Sequence, residues 1–407
     1  MTERLFNVWR YRLCLLLSGV LLTWVAQGQG IQFTSGGTLK AAFDQARAQR
    51  KNVFIEVYSP TCQTCAAFKP TLAEARVGQA YNPRFVSYQL DVQSAEAQAF
   101  LSQQRLAVPS LPLFLFFDAN STLLYAGMPL NTAAEVQAMA SRAANPGQRV
   151  GGYPARFKRG ERGGEFLHAY AQLTRIQSDT VVNAEVVRAY AKTIRAGEHT
   201  SERNFRVIQR LMLDPDNDLF QHFLNNQPAY RAKHDPKQVL EAGETVLMST
   251  LFSSRAARLA PEQIQALGSY LRKLGLDATT VSNRTLLPEL RAMAHARQYD
   301  RLVKRADDYL NQTGSGAPEY TYLARYLAQQ ATTTPYLQTA VRWLKTAEAK
   351  AVKNAAERCE AQYELATVYL KLNQKAEARR MAQLALASAQ AARRNTRRFE
   401  ELLVRTS

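Results

Sequence analysis

Two cysteines three residues apart, Cys62-Gln63-Thr64-Cys65, carry the clearest chemistry in this chain. They directly follow the apolar run Val53–Tyr58 and open a stretch with helical spacing. A helix N-terminus stabilises negative charge through its free N–H groups and dipole, which favours a thiolate on the first cysteine. The second lies about one turn further on, within reach of a mixed disulfide formed by the first. The spacing therefore points to a dithiol that opens and closes a disulfide, with Cys62 as nucleophile and Cys65 as resolving thiol. A zinc clip is the rival chemistry for a CxxC. Structural zinc wants four ligands, no second CxxC exists, and all five histidines lie beyond residue 145. The same distribution argues against a Cys–His hydrolase. No cofactor is expected.

The elements that must position the thiols follow from periodicity. Leu39–Arg50 reads as an amphipathic helix, and Val53–Tyr58 as a buried strand containing one carboxylate, Glu56. Cys62–Ala80 reads as a helix interrupted at Pro70, Phe85–Asp91 as a second strand, and Ala95–Gln104 as a helix. Pro112–Phe117 and Thr122–Tyr125 form a hairpin around Asp118-Ala119-Asn120-Ser121, and Thr132–Ala144 closes with a helix. Ile31–Phe33 is a candidate short first strand. This order predicts an α/β domain: a mixed sheet with helices on both faces.

That order, with CxxC at the first main strand-to-helix junction, resembles the thioredoxin fold over residues 31–145. The nearest likeness is to secreted thioredoxin-like domains. The resemblance implies a cis proline ahead of the hairpin strand, facing the thiols. Val108-Pro109-Ser110-Leu111-Pro112-Leu113 matches that pattern, with Pro112 in the cis-proline place and Pro109 as the rival. It also implies that the Leu111 backbone pairs with a substrate chain. A buried carboxylate is implied six residues before the first cysteine, where Glu56 stands, as proton acceptor for Cys65. The family often pairs this acid with a lysine on the next strand, and the corresponding place is read as Ser87. Pro70 matches the proline that kinks the family's active-site helix. Thr61 replaces the usual Trp, and Gln63-Thr64 is not one of the family's common pairs, so the direction of exchange stays open.

Chain length allows two or more domains at 407 residues. Residues 1–28 read as a signal peptide: a basic start (Arg4, Arg10, Arg12), a short apolar run Leu13–Val25, and a small-residue exit at Ala26-Gln27-Gly28. A membrane anchor is the alternative, although the run falls short of the roughly 20 residues a span requires. Export, to a bacterial periplasm, is the expectation. Cys14 would leave with the signal, and Cys359 stands alone as a packing residue.

Net charge is +18. Residues 1–28 and 29–145 each carry +2, so the rest of the chain carries +14. No nucleic-acid module accompanies this charge, which is read as a solvated basic surface, an acidic protein partner's docking face or an envelope contact. Residues 146–160, rich in Gly and Pro, read as a linker, and 161–407 as an all-α domain. Within about 283–390, Leu327, Ala328, Ala340, Leu344 and Ala347 recur 38 residues later as Leu365, Ala366, Ala378, Ala382 and Ala385. With Tyr369 this spacing resembles tetratricopeptide repeats, with a weaker copy over Leu286–Leu310. Such stacks present surfaces for peptides or proteins; a plain helical domain is the alternative. Two functions compete. One is an exported thiol–disulfide oxidoreductase acting on disulfide-containing envelope proteins with an unknown electron-donor thiol protein. The other is a non-catalytic scaffold whose helical repeats bind a partner.

Overall fold

Alternating apolar runs build the sheet. In the computed structural model, which describes residues 30–406 apart from 254 and 313, four strands form the order β2-β1-β3-β4. They are β1 (Asn52–Tyr58), β2 (Phe85–Asp91), β3 (Leu113–Phe117) and β4 (Leu123–Gly127). β1 pairs parallel with β2 and antiparallel with β3, and β3 pairs antiparallel with β4. The sheet is therefore mixed. Strand alternation sends Val53, Ile55 and Val57 to one face, packed with α1 (Leu39–Gln49) and with Ala97 and Leu101 of a later helix, Ala95–Gln104. Phe54 and Glu56 point to the other. There Phe54 stacks with Phe116 and meets Phe114 and Tyr81 edge-on, in an aromatic core. Burial on both faces explains why these strands read as unbroken apolar runs.

Helices α2 (Gln63–Leu72), α3 (Ala75–Tyr81), α4 (Ala95–Gln104) and α5 (Ala133–Ala144) complete this region. Thr38, Ser94 and Thr132 cap α1, α4 and α5 by accepting backbone N–H groups with their hydroxyls. Two expectations are corrected here. Ile31–Phe33 is not a strand: only a single bridge, Phe33 to Ser87, forms. The long helix breaks at Ala73-Glu74 rather than at Pro70, which lies inside α2. At the break the Leu72 carbonyl accepts the Ile31 N–H at 2.9 Å. Gly30 permits that approach, since a Cβ there would sit 2.3 Å from Ala73 Cα.

The chain divides into two compact units, at Phe223/Leu224. The first unit reaches well past the sheet. Residues 146–160 are not an extended linker: they hold two 3₁₀ turns and α6 (Tyr153–Lys158), with Val150 and Tyr153 buried. Then α7 (Gly164–Ile176) packs on β4, the outer strand. Gln172 of α7 accepts the Met128 N–H at 2.9 Å, and Ile176 joins the core beside Leu115 and Phe117. Gly127 makes room, because a Cβ there would lie 3.0 Å from Gln172 Oε1. The Gly/Pro content of 146–160 thus encodes tight turns rather than a flexible spacer.

Beyond α7, α8 (Thr180–Ala191) and α9 (Glu202–Arg206) lead into a single π-helical turn, Val207–Leu211. Asn183 ties these pieces together. Its Nδ2 donates to the carbonyls of Ala171 and Leu211 and to Thr174 Oγ1, and its Oδ1 accepts the Leu213 N–H at 3.1 Å. Asn183→Ala orphans buried backbone groups at both ends, so chemical denaturation should show a loss of about 2–3 kcal/mol. A loss under about 0.5 kcal/mol would contradict this role. Ion pairs line the same part of the unit: Arg142–Glu135 at 3.0 Å, and Arg156–Glu161, Arg203–Glu165 and Arg206–Glu202 each at 2.6 Å.

The second unit is helical. After α10 (Asp218–Asn225), inside which the division falls, come α11 (Gln227–Arg231), α12 (Pro236–Leu251) and α13 (Pro261–Lys273). Three helix pairs follow: α14 (Ala278–His295) with α15 (Tyr299–Gln312), α16 (Ala317–Gln330) with α17 (Thr334–Lys350), and α18 (Ala355–Lys371) with α19 (Lys375–Ala391). A last helix, α20 (Arg397–Arg405), packs on α19. All ten recurring positions are buried, most of them as alanines. Small side chains let paired helices cross closely, which is why that pattern repeats. The weaker copy is also built: Leu286, Ala306 and Leu310 belong to the same core. Arg297 and Asn373, two 38-residue periods apart, both adopt left-handed φ of 55° and 58° between paired helices. Trp343 fills the stack's centre and donates to Asp307 at 2.8 Å.

Candidate active site

The loop after β1 sets the geometry. Ser59 is buried, and its carbonyl accepts the Cys62 N–H at 3.1 Å. This turn leaves Cys62 in an extended conformation as the N-cap of α2. Cys62 Sγ accepts the Cys65 N–H at 3.1 Å, the place a serine or aspartate oxygen usually takes. The sulfur thus sits where free helix N–H groups stabilise developing negative charge. Cys62 is half-exposed and Cys65 is 4 % exposed, so only the first faces solvent. Both are free, and Cys65 Sγ lies 2.6 Å from Cys62 Sγ. Burial, then the hydrogen bond to Cys62, pushes the Cys65 thiol up to about 11.

Glu56 lies on β1 itself, 2 % exposed, on the face that α2 covers where its Phe68 meets Phe114 of β3 edge-on. Burial raises its pKa above the usual carboxylate range, while the hydrogen bond from Gln89 and the charge of Lys69 lower it. Its own charge contributes to raising the Cys65 thiol, so the two groups sense each other. The residue opposite Glu56 is not Ser87. In the parallel register Ser87 faces Phe54 and Gln89 faces Glu56, with Gln89 Nε2 donating to Glu56 Oε2 at 2.8 Å. The cation that acts on Glu56 comes instead from α2 itself, as Lys69, exposed on the active-site helix. Gln89 and Lys69 escaped the sequence reading. Aligning the two apolar strands residue by residue would have found the first. The second sits four residues after Cys65 and beside Pro70, with no pattern to mark it.

The Leu111–Pro112 peptide is cis; Pro109, the rival, is trans. Pro112 is buried at the entry to β3, and Leu111 is half-buried beside it. Cys359 is fully buried on α18, and its thiol is raised chiefly by desolvation. It packs with Ala385, Ala389 and Phe399. The signal-peptide reading, with Cys14, falls outside the described residues. No helix among those described is long and apolar enough to cross a membrane.

A family model described as thioredoxin-like matches residues 33–119, a span that contains both cysteines, Glu56 and Pro112. A search of curated proteins gave no match to the chain. The matched segment, its mixed sheet with flanking helices, and the large helical region beyond it agree: this chain carries a thioredoxin-like domain followed by a predominantly helical region.

Proposed function

We propose that the protein is an exported thiol–disulfide oxidoreductase acting on disulfide-containing envelope proteins. The observation that supports it most is the asymmetric dithiol: a half-exposed Cys62 sulfur on a helix N-cap, with the Cys65 sulfur buried 2.6 Å behind it. The Cys62 thiolate attacks one sulfur of a client disulfide. A mixed disulfide forms, and the other client sulfur leaves as a thiolate. Cys65 then gives its proton to the Glu56 carboxylate and attacks Cys62 Sγ. The mixed bond breaks, and the second client sulfur leaves and takes a proton from solvent. Two electrons pass from the protein to the client, and an oxidised Cys62–Cys65 pair remains. A dithiol donor protein restores the reduced pair, and running the steps backwards oxidises a client instead.

Within this reading the Leu111 backbone, beside Pro112, is the edge on which a client chain lies. The helical stack holds a client or partner protein. Lys69 tempers the raised affinity of Glu56 for its proton, which keeps the carboxylate available as a base.

Cys65→Ser tests the order of events. Without the resolving thiol, clients should stay bound to Cys62 as dithiothreitol-sensitive adducts on non-reducing gels. Adducts of equal amount in a variant that also carries Cys62→Ser would show that Cys62 is not the attacking sulfur.

A further inference from the structure

Apart from the thiols, the first unit contains a cavity of about 860 Å³, bounded by α5, α6, α7, α9, the π-helical turn and the segment after β4. Its size lies within the range of about 300–1,000 Å³ typical of small-molecule sites. Five arginines line it. Four are each held by a glutamate in the ion pairs described above. The fifth, Arg210, is half-buried, and its guanidinium has no ion-pair or hydrogen-bond partner among the described residues. Desolvation and then the neighbouring Arg206 disfavour its charge, and Glu202, the ion-pair partner of Arg206, offsets this only in part. Arg210 sits in the π-helical turn Val207–Leu211, a departure from α-helical winding that recurs at functional sites.

The wall formed by α7 carries a neutral donor. Gln172 Oε1 accepts the Met128 N–H, so the Gln172 amide nitrogen faces His168 Nδ1 at 3.2 Å. Nδ1 therefore accepts, and the imidazole proton sits on Nε2. Burial, then the charge of Arg203, brings His168 down to about 4, so the ring is neutral near pH 7. Tyr153, Phe166 and Leu211 supply apolar wall between these polar groups.

We infer that this cavity binds a small organic monoanion, its carboxylate or equivalent head on Arg210 and its apolar body against Tyr153, Phe166 and Leu211. One surplus cation in an otherwise charge-balanced wall matches one negative charge. A dianion would leave an uncompensated charge in a half-buried site. The inference is independent of the thiol chemistry.

Calorimetric titration of the full chain with phenylacetate, phenylacetamide and inorganic phosphate tests it. Phenylacetate should bind saturably. Phenylacetamide, which has the same shape without the charge, and phosphate, which has charge without an apolar body, should each bind at least about tenfold more weakly, a difference of about 1.4 kcal/mol. Arg210→Met should weaken phenylacetate by a similar factor, while Arg195→Met, at an exposed position, should not. Arg210→Lys, which keeps a charge but loses the planar fork, should fall between wild type and Arg210→Met. No saturable binding of phenylacetate, equal binding of the amide or of phosphate, or undiminished binding to Arg210→Met overturns the assignment. The comparison of the three ligands on the unaltered protein decides the matter even where a variant fails to fold.

Discussion

Cys62→Ser should abolish catalysis, bringing insulin reduction by dithiothreitol to the uncatalysed rate, a fall of at least about 100-fold. The reason is that neither of the other thiols among the described residues can take over. Cys65 is 4 % exposed, and burial, the first cause of its raised pKa, persists in the variant and disfavours its thiolate. Cys359 is fully buried in the helical stack, with its thiol also raised. The loss should not come from unfolding. Serine is a favoured N-cap and can accept the Cys65 N–H that Cys62 Sγ accepts now. The melting temperature of Cys62→Ser should therefore stay within a few degrees of wild type. A variant that retains turnover would move the chemistry away from this dithiol.

Glu56→Gln should slow the resolving step by about 100-fold, at the low end of what a positioned general base contributes. Attack by Cys62 should be nearly unchanged, so the mixed disulfide should accumulate in rapid-quench experiments, which separates this role from a general loss of activity. Resolution at the wild-type rate would remove Glu56 from the mechanism. The same variant has a stability signature with a definite sign. Burial raises the Glu56 pKa, so the folded state holds that proton more tightly than the unfolded chain does. The stabilisation from proton binding is present below the ordinary carboxyl range near 4.5 and is lost as pH rises through the raised value. Glutamine mimics the protonated acid at every pH. The melting temperature of Glu56→Gln should therefore rise relative to wild type between pH 4 and pH 8. A gap that narrows instead would mean that Glu56 is stabilised as the carboxylate.

Much of the site was legible because it depends on short-range order. Cys62 and Cys65 are linked by one helical turn, and strand alternation alone placed Glu56 on the face of Phe54. The thioredoxin resemblance pointed to Pro112. Partners across the sheet were less legible. Gln89 meets Glu56 only through the β1–β2 register, and β1 and β2 are separated by two helices. Lys69 acts on Glu56 only because α2 lies over that face of the sheet. The break between α2 and α3 was misplaced because Pro70 is a strong local signal. The contact between Gly30 and Ala73 depends on a segment some 40 residues away in sequence.

The sequence by itself determined the dithiol, the alternation that builds the sheet, and the 38-residue recurrence of small residues. Each is a local or periodic pattern, in which hydrophobic burial and backbone geometry leave little choice. Only the tertiary structure decided where the first unit ends. Gly/Pro composition reads as a linker, yet Val150 and Tyr153 are buried and α7 covers β4 through Gln172 and Ile176. The same packing brings Arg210 and His168 to one cavity from helices far apart in sequence. Neither residue stands out in the chain. Arg210 is one of many arginines; among the five that line this cavity, it is the one that folding leaves outside an ion pair.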